Sequence, residues 1–200
     1  MKAVFASVPD HILEWRRRTD ADQWDEMWEG VLHMAPSPNR EHQSIEFKLA
    51  MWLEQNWAEP NGCRIYPQIN VAEPDIDKWT DNYRIPDLVL LMPARFNIDR
   101  NEYFNGGPDA VVEIHSPEDE AYEKLDFYFK VGVREVWIIE RDSKRPEIYE
   151  PAGAGGHQLR KADANGWLRS DVAGAEFRAA GNGKLEIRLT GRPETAARLP

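Results

Sequence analysis

The stretches IPDLVLLM, residues 85–92, and AVVEIH, residues 110–115, decide how this chain is expected to fold. Both are rich in β-branched and large apolar residues, which favour buried strands. Each stretch carries a carboxylate toward one end: Asp87 in the first and Glu113, 26 positions later, in the second. A carboxylate in such apolar surroundings costs stability unless a partner binds it. These two acids are therefore the strongest candidates for a functional pair.

Two carboxylates brought together by adjacent strands repel each other, and one takes up a proton unless a cation neutralises them. Mg²⁺ is a hard octahedral ion that is typically held by one or two carboxylates, waters and substrate phosphate oxygens. The pattern therefore predicts a metal site at Asp87 and Glu113, with Mn²⁺ as the expected substitute ion. Its expected chemistry is metal-assisted attack on a phosphodiester. The structural alternative is a pair of strand-end carboxylates that cap a loop or bind an arginine.

Composition limits the remaining possibilities. The chain has 200 residues, 42% of them hydrophobic, and we expect a single domain over residues 1–200. No apolar segment approaches the roughly 20 residues needed to span a bilayer, and the N-terminus lacks a long apolar signal core, so we expect a cytoplasmic protein without a membrane partner. Cys63 is the only cysteine, which excludes an intrachain disulfide. The net charge of −10 argues against a broad electrostatic grip on nucleic acid.

Hydrophobic periodicity and turn residues predict alternating helices and strands along the chain. The predicted helices cover residues 11–17, about 40–57, and from Ser116 to about Val131, where Gly132 ends the last one. The predicted strands are two short ones around Gly30 and further strands over 64–71, 85–92, 110–115, 135–139 and 145–150, with a loop over 73–84. Residues 151–200 are Gly-rich with short alternating runs, which predicts a β-rich extension.

Part of the chain resembles a known superfamily. Residues of about 20–150 resemble the PD-(D/E)XK nucleases, specifically their Uma-two branch of restriction-endonuclease-like proteins. The stretches that carry the resemblance are WEGVLHMAPSPNREHQ (28–43), IPDLVLL (85–91) and DAVVEIHSPEDEAYEKLDFYFKVGVREVWIIE (109–140). The resemblance implies an α/β, restriction-endonuclease-like core over about 20–150, with a mixed central sheet flanked by helices and a C-terminal β appendage over about 151–200. It also implies a Mg²⁺-dependent phosphodiesterase site, with DNA as the expected partner and RNA left open, and predominantly bacterial occurrence.

The resemblance assigns roles to individual residues. Asp87 matches the metal-binding acid that follows a proline, and Glu113 matches the second metal-binding acid. The usual lysine two residues after the glutamate is replaced by His115. In this branch a lysine from the following helix fills that place, and Lys124 matches it. Lys124 would orient the attacking water and offset charge in the transition state. Its structural alternative is an ordinary helical ion pair with Glu120.

Glu29 and His42 also match positions that recur in this branch. Glu29 is expected to act as an outer metal ligand or a water acceptor that completes the acidic cluster. His42 is expected to orient a carboxylate, contact a phosphate, or act as an acid or base near its unperturbed pKa of ~6.5. Glu46 shares a helix face with His42. For each of these side chains the alternative is a structural role.

Three functions compete at this point. The leading hypothesis is a Mg²⁺-dependent DNA endonuclease centred on Asp87, Glu113 and Lys124. The alternative is a catalytically degenerate binding or assembly module, which the net charge and His115 favour. A third hypothesis is a metal hydrolase that acts on a small or RNA substrate and uses His42 or His115 as an extra ligand. Exposed strand edges and abundant aromatic residues also suggest a homodimer.

Overall fold

The computed structural model describes residues 4–5, 8–117 and 119–200. Its α-helices are α1 (Asp10–Arg18), α2 (Arg40–Leu53), α3 (Glu59–Asn61) and α4 (Leu125–Lys130). Its strands are β1 (Val4–Phe5), β2 (Glu26–Trp28), β3 (Val31–His33), β4 (Arg64–Pro67), β5 (Asn70–Ala72), β6 (Tyr83–Arg84), β7 (Leu88–Leu91), β8 (Tyr103–Asn105), β9 (Ala110–His115), β10 (Glu135–Glu140), β11 (Pro146–Pro151), β12 (His157–Leu159), β13 (Leu168–Arg169), β14 (Ala175–Ala180), β15 (Lys184–Leu189) and β16 (Arg192–Leu199). Within the described ranges, no helix has the length and apolar character that crossing a bilayer requires.

The described strands form three sheets. The first has the order β1-β3-β2-β6-β5-β8, the second β12-β11-β10-β9-β7-β4, and the third β13-β14-β15-β16. The second sheet is mixed, because β9 pairs parallel with β10 but antiparallel with β7, and β11 returns antiparallel beside β10. The parallel pair β9 and β10 is connected through α4, as a strand–helix–strand unit requires. This is the α/β core with a mixed central sheet that the sequence predicted.

The strands β7 and β9 are interior strands of the second sheet, and both faces of the sheet are covered there. Side chains on alternate positions of a strand point to opposite faces. Leu88 and Val112 join one core cluster, which also contains α2 and C-terminal sheet residues, whereas Val89 and Val111 join a second cluster with residues of α4. This two-sided burial explains why β7 is continuously apolar instead of alternating.

The hairpin around Gly30 is confirmed. Residues of β2 and β3 pair antiparallel, with Trp28 opposite Val31. The two turn residues, Glu29 and Gly30, have φ angles of 51° and 83°. Positive φ at both central positions is the mark of the tight turn whose twist matches that of the strands.

The predicted helix from Ser116 to Val131 is wrong in its first half. Within the described residues the helix begins only at Leu125, and Glu118 lies outside them. The side chain of Asp119 accepts hydrogen bonds from the backbone N–H groups of Ser116 and Ala121, so it closes a turn instead of capping a helix. Ser, Pro and Asp are as typical of such turns as of a helix start.

The single strand predicted over 64–71 is two strands in different sheets. β4 pairs with β7, whereas β5 pairs with β6 and β8. Gln68 lies between them with a φ of 48°, which redirects the chain. The predicted loop over 73–84 contains β6 and a 3₁₀ turn at Trp79–Asp81, and the helix predicted to Trp57 is α-helical to Leu53 and π-helical over Glu54–Ala58.

The predicted C-terminal β appendage is confirmed. Strands β13 to β16 form an antiparallel sheet, and its apolar side chains share a core cluster with α2. The indole N–H of Trp52, on α2, donates to the carbonyl oxygen of Thr195 at 2.9 Å. The appendage therefore supports the helix that carries His42.

Candidate active site

The pairing of β7 with β9 brings the two predicted acids together. Leu88 lies opposite Val112 in the antiparallel register, which places the preceding residue, Asp87, beside Glu113. Residues directly opposite each other across a strand pair project from the same face. Both side chains line one cavity of about 280 Å³. This geometry agrees with the predicted placement of the two carboxylates on one side of the sheet.

The cavity is enclosed by several short elements. Its walls come from the β2–β3 hairpin and the loop after it, the start of α2, the ends of β7 and β9, and the segment before α4. Its ionisable lining includes Glu26, His42, Asp87, Glu113, Lys124 and Arg141. Residues distant in the sequence are thus brought together by the sheet and by the two connections that precede α2 and α4.

Asp87 is held from two sides. Its Oδ1 lies 2.7 Å from Nε2 of His42, and its Oδ2 accepts the backbone N–H of Ile114 at 2.6 Å. His42 is placed by the start of α2, where the Asn39 side chain accepts the backbone N–H of His42 at 2.9 Å. Burial opposes the charged imidazole, but the hydrogen bond to Asp87 and the nearby carboxylates outweigh it, so the pKa of His42 is raised. His42 is therefore a partner of Asp87, as one of its predicted roles required.

Glu113 is, together with Glu26, one of the two most deeply buried acids of the cavity. Both of its carboxylate oxygens lie 3.2 Å from Nζ of Lys124, and the hydroxyl of Tyr128 donates to its Oε1. Burial raises the pKa of Glu113, and the charge of Lys124 only partly opposes this. Neutralising this site with a further cation would therefore favour the ionised carboxylate.

Lys124 joins two carboxylates at the start of α4. Its Nζ lies 2.8 Å from Oε1 of Glu26 as well as within reach of Glu113. Burial disfavours the ammonium group, but these two acids outweigh burial and raise the pKa of Lys124. Lys124 is consequently a fixed positive charge at neutral pH. It suits stabilisation of negative charge and does not suit proton abstraction.

Glu46 extends the acidic cluster on the α2 side. The ligand atoms of His42, Glu46 and Asp87 all lie within 4.8 Å of one another, so this group could hold a metal ion. Burial, followed by the charge of Asp87, raises the pKa of Glu46 to about 7. The amide of Gln68 donates to Glu46 at 3.3 Å. The spacing of four residues between His42 and Glu46 signalled this contact in the sequence.

The structure does not bring Glu29 to this cluster. Glu29 is exposed at the tip of the β2–β3 turn, where its backbone N–H donates to the side chain of Asn82 at 3.2 Å. The acid of this hairpin that enters the cavity is Glu26, whose Oε1 also accepts the backbone N–H of Ile85 at 2.8 Å. Glu29 therefore does not complete the acidic cluster as expected. Glu26, from the same hairpin, lies in the cavity instead.

His115 also lies apart from the paired acids. Its Nδ1 lies 2.6 Å from Oδ1 of Asp119 and it is absent from the lining of the cavity. The ring packs edge-on against Tyr122. His115 thus has the loop-binding role of a strand-end side chain, and the ammonium group that contacts Glu113 is that of Lys124, at the start of α4.

The mixed central sheet, which places Asp87 beside Glu113, belongs to a restriction-endonuclease-like fold. The family model Uma2, described as "Putative restriction endonuclease", matches residues 9–180. The chain belongs to the Uma2 family. This membership supports a nuclease-like function.

A solved structure agrees with the fold. The chain is similar to a "putative nuclease belonging to DUF820" from Anabaena variabilis ATCC 29413, with a TM-score of 0.59 and 19% identity over 74% of this chain and 83% of that chain. At this identity the likeness shows the fold alone. No curated protein matches the chain.

Proposed function

We propose that this chain is a Mg²⁺-dependent endonuclease that hydrolyses phosphodiester bonds of DNA. One observation carries the proposal: Asp87 and Glu113, from adjacent strands, meet Lys124, from the start of α4, in one cavity. Buried acids of this kind are costly for a fold, and perturbed carboxylates next to a fixed cation in a cleft are typical of catalytic sites.

The residues present suit a divalent ion. Asp87 belongs both to the predicted pair with Glu113 and to the group of His42, Glu46 and Asp87. Carboxylate oxygens are the ligands that Mg²⁺ and Mn²⁺ prefer. An ion held by Asp87 and Glu113 would polarise a phosphoryl oxygen and lower the energy of the charge that develops during hydrolysis.

The chain's own side chains supply the remaining chemistry. The ammonium of Lys124 is held by Glu113 and Glu26, so it is oriented before any substrate arrives. A preorganised positive charge in a buried site stabilises a transition state more than it would in water. The imidazole of His42 fixes the carboxylate of Asp87 in one orientation.

Cleavage of labelled DNA with Mg²⁺ or Mn²⁺ tests the proposal. We expect Asp87→Asn and Glu113→Gln each to lower the rate by about 10²-fold or more, the size of effect typical of removing one electrostatic group from a catalytic site. Glu29→Gln is the matched control, because Glu29 is an exposed glutamate outside the cavity. Wild-type rates that persist in both site variants would exclude this site as the place of reaction.

A second candidate function is a binding or assembly module without turnover. It is favoured by the completeness of the existing contacts, since Glu113 binds Lys124 and Tyr128 while Asp87 binds His42 and a backbone N–H. Calorimetric titration separates the two functions. Heat of binding with Mg²⁺ or Mn²⁺ that disappears in Asp87→Asn supports the enzyme, whereas absence of binding at millimolar ion supports the module.

A further inference from the structure

The groups assigned to the reaction are largely buried side chains that line one cavity. The side chains of Asp87, Glu113 and Lys124 are only 15%, 6% and 12% exposed. The cavity, at about 280 Å³, lies at the lower limit of small-molecule pockets, which are roughly 300–1,000 Å³. A phosphate must therefore enter this cavity to reach the acids, instead of meeting them on an open surface.

One wall of the cavity is braced within the protein. It is the loop over residues 34–39, which contains Pro36 and Pro38. The backbone of Ala35 hydrogen-bonds to the carboxylate of Asp25, which also forms an ion pair with Arg16. Fixed proline φ angles and these contacts limit how far the wall can move aside.

A second wall of the cavity, formed by the segment before α4, is braced in a similar way. Asp119 accepts the backbone N–H of Ala121 at 3.1 Å, accepts that of Ser116, and binds the imidazole of His115. Pro117 lies in the same segment. Both walls are thus held by contacts that do not depend on a ligand, so the width of the cavity is largely preformed.

The residues that line the cavity do not form a positively charged surface of the kind that binds the phosphates of a duplex. Among the described lining residues, the carboxylates outnumber the basic side chains of Lys124 and Arg141. The acids are Glu26, Asp87, Glu113, Asp119 and Glu120. Duplex binding depends on neutralising many phosphates, and the whole chain carries a net charge of −10. Local contact with one or two phosphates fits this distribution better.

Trp24 gives the cavity an aromatic wall. Its indole Nε1 donates to Oε1 of Gln68 at 3.2 Å, and the amide of Gln68 in turn donates to Glu46. The half-buried ring is therefore anchored at its edge beside the acidic cluster. A fixed aromatic ring next to a phosphate site is a stacking surface for an unpaired base.

From these observations we infer that the substrate is single-stranded DNA and that a continuous duplex is excluded. The inference rests on the proposed function, whose active site it uses. A phosphate in a duplex is flanked by paired bases and a second strand, and a cavity of about 280 Å³ is too small to admit them together with the phosphate. A single strand can turn its bases aside, insert one phosphate between the two walls and stack a base on Trp24.

Three substrates test the inference in the presence of Mn²⁺: a labelled single strand, the same strand annealed to its complement, and bis(p-nitrophenyl) phosphate. We expect kcat/KM for the single strand to exceed that for the duplex by about tenfold or more, as loss of a base-stacking contact would produce. Equal or faster duplex cleavage overturns the inference, and hydrolysis of the small diester then shows that the proposed function survives. Absence of hydrolysis with all three substrates overturns both.

Substitution at Trp24 tests the stacking surface. We expect Trp24→Leu, which keeps an apolar side chain without a π face, to raise KM for the single strand by about fivefold or more, whereas Trp24→Phe stays close to wild type. Trp15→Ala is the control, because Trp15 is 52% exposed on α1 and absent from the cavity lining. A KM for Trp24→Leu equal to that of Trp24→Phe would overturn the assignment.

Discussion

The chain uses ion pairs in two contrasting regions. In the cavity, Lys124 is 12% exposed and faces Glu113 and Glu26, each 6% exposed. These two acids share Lys124, and Asp87, which binds His42, lies in the same cavity. Removing such groups from water costs several kcal/mol for each ion before any attraction is gained.

The third sheet carries charges on its outer side, in what we call the arginine ladder: Arg178, Arg188, Arg198, Glu176 and Glu186. Glu186 lies 2.6 Å from Nε of Arg178 and 2.7 Å from Nε of Arg198, and Arg188 pairs with Glu176 at 2.7 Å. Here the cations outnumber the acids. The arginines are 32–66% exposed, so their charges stay hydrated.

The difference separates two uses of the same residue types. The arginine ladder matches each acid with hydrated arginines, although Glu186 and Glu176 are themselves only 11% and 15% exposed, and ion pairs that include an exposed member contribute little to stability. The cavity buries an excess of acid, which does not stabilise the fold by itself and is consistent with the proposed divalent ion. Excess buried charge, and not the presence of ion pairs, is what marks the functional region.

The largest effect is expected from removing the cation of the cavity. Lys124→Met leaves Glu113 and Glu26 buried without their shared partner. Breaking a buried ion pair from one side costs about 3–5 kcal/mol of unfolding free energy, and we expect a loss of this size. Urea denaturation of the metal-free variant and wild type at pH 7 measures it.

Addition of Mn²⁺ to the same samples tests whether the lost stability is due to unbalanced charge. A divalent ion would replace part of the missing charge, so Mn²⁺ should restore more stability to Lys124→Met than it adds to wild type. A variant that is as stable as wild type without metal would show that the acids of the cavity are already neutral, and the contrast with the arginine ladder would fail.

A smaller effect is expected from the hairpin acids. Glu26→Gln weakens the 2.8 Å contact with Lys124, and hydrogen bonds to charged groups contribute about 1.5–3 kcal/mol. Glu29→Gln alters an exposed turn and should change stability by less than about 0.5 kcal/mol. Thermal melts of both variants compare the two positions. Equal losses would place the two glutamates in equivalent environments, contrary to the structure.

This pair of glutamates shows where sequence reasoning reaches its limit. Glu29 and Gly30 correctly predict a tight turn, but a residue with φ of 51° at the tip of a hairpin points away from the strand faces. Glu26 enters the cavity because β2 pairs with both β3 and β6, a tertiary arrangement that local pattern does not encode. By contrast, Asp87 and Glu113 were identifiable because a carboxylate contradicts the apolar pattern of its own strand.

The secondary structure shows the same difference between features that the sequence predicts and features that depend on tertiary contacts. The continuous apolar runs of β7, β9 and β10 predict a buried sheet, and the structure confirms it. The early helix start at Ser116 was wrong because Asp119 satisfies backbone donors in a turn, a choice that depends on the site around it. Strong periodicity is therefore predictable from sequence, whereas boundaries next to the cavity depend on contacts between distant residues.

The stability of the metal-free protein should depend on pH because of the acids in the cavity. The pKa of Glu46 is raised from 4.5 to about 7, mainly by burial. Protonated Glu46 therefore contributes stability that is complete below about pH 4.5 and lost as the pH rises toward 7. His42, whose pKa is also raised, contributes in the same direction. We expect the melting temperature in EDTA to fall from pH 5 to pH 8, and less steeply in Glu46→Gln.

An added ion should reverse this trend. Metal binding needs ionised carboxylates, so stabilisation by Mn²⁺ should grow over the same pH interval. Melting curves with and without Mn²⁺ at each pH give the difference directly. A Mn²⁺ effect that is independent of pH would argue against binding at these acids.

The smallest effect is expected in the arginine ladder. Arg198→Ala removes a cation that is 66% exposed and leaves Glu186 its contact with Arg178, so we expect a loss of at most about 1 kcal/mol. The loss should shrink at high salt, because exposed charges are screened. Urea denaturation at low and high NaCl, alongside Lys124→Met, measures both. Equal losses of unfolding free energy in Arg198→Ala and Lys124→Met would show that burial does not distinguish the two regions. The excess of acid in the cavity would then no longer support a functional site there.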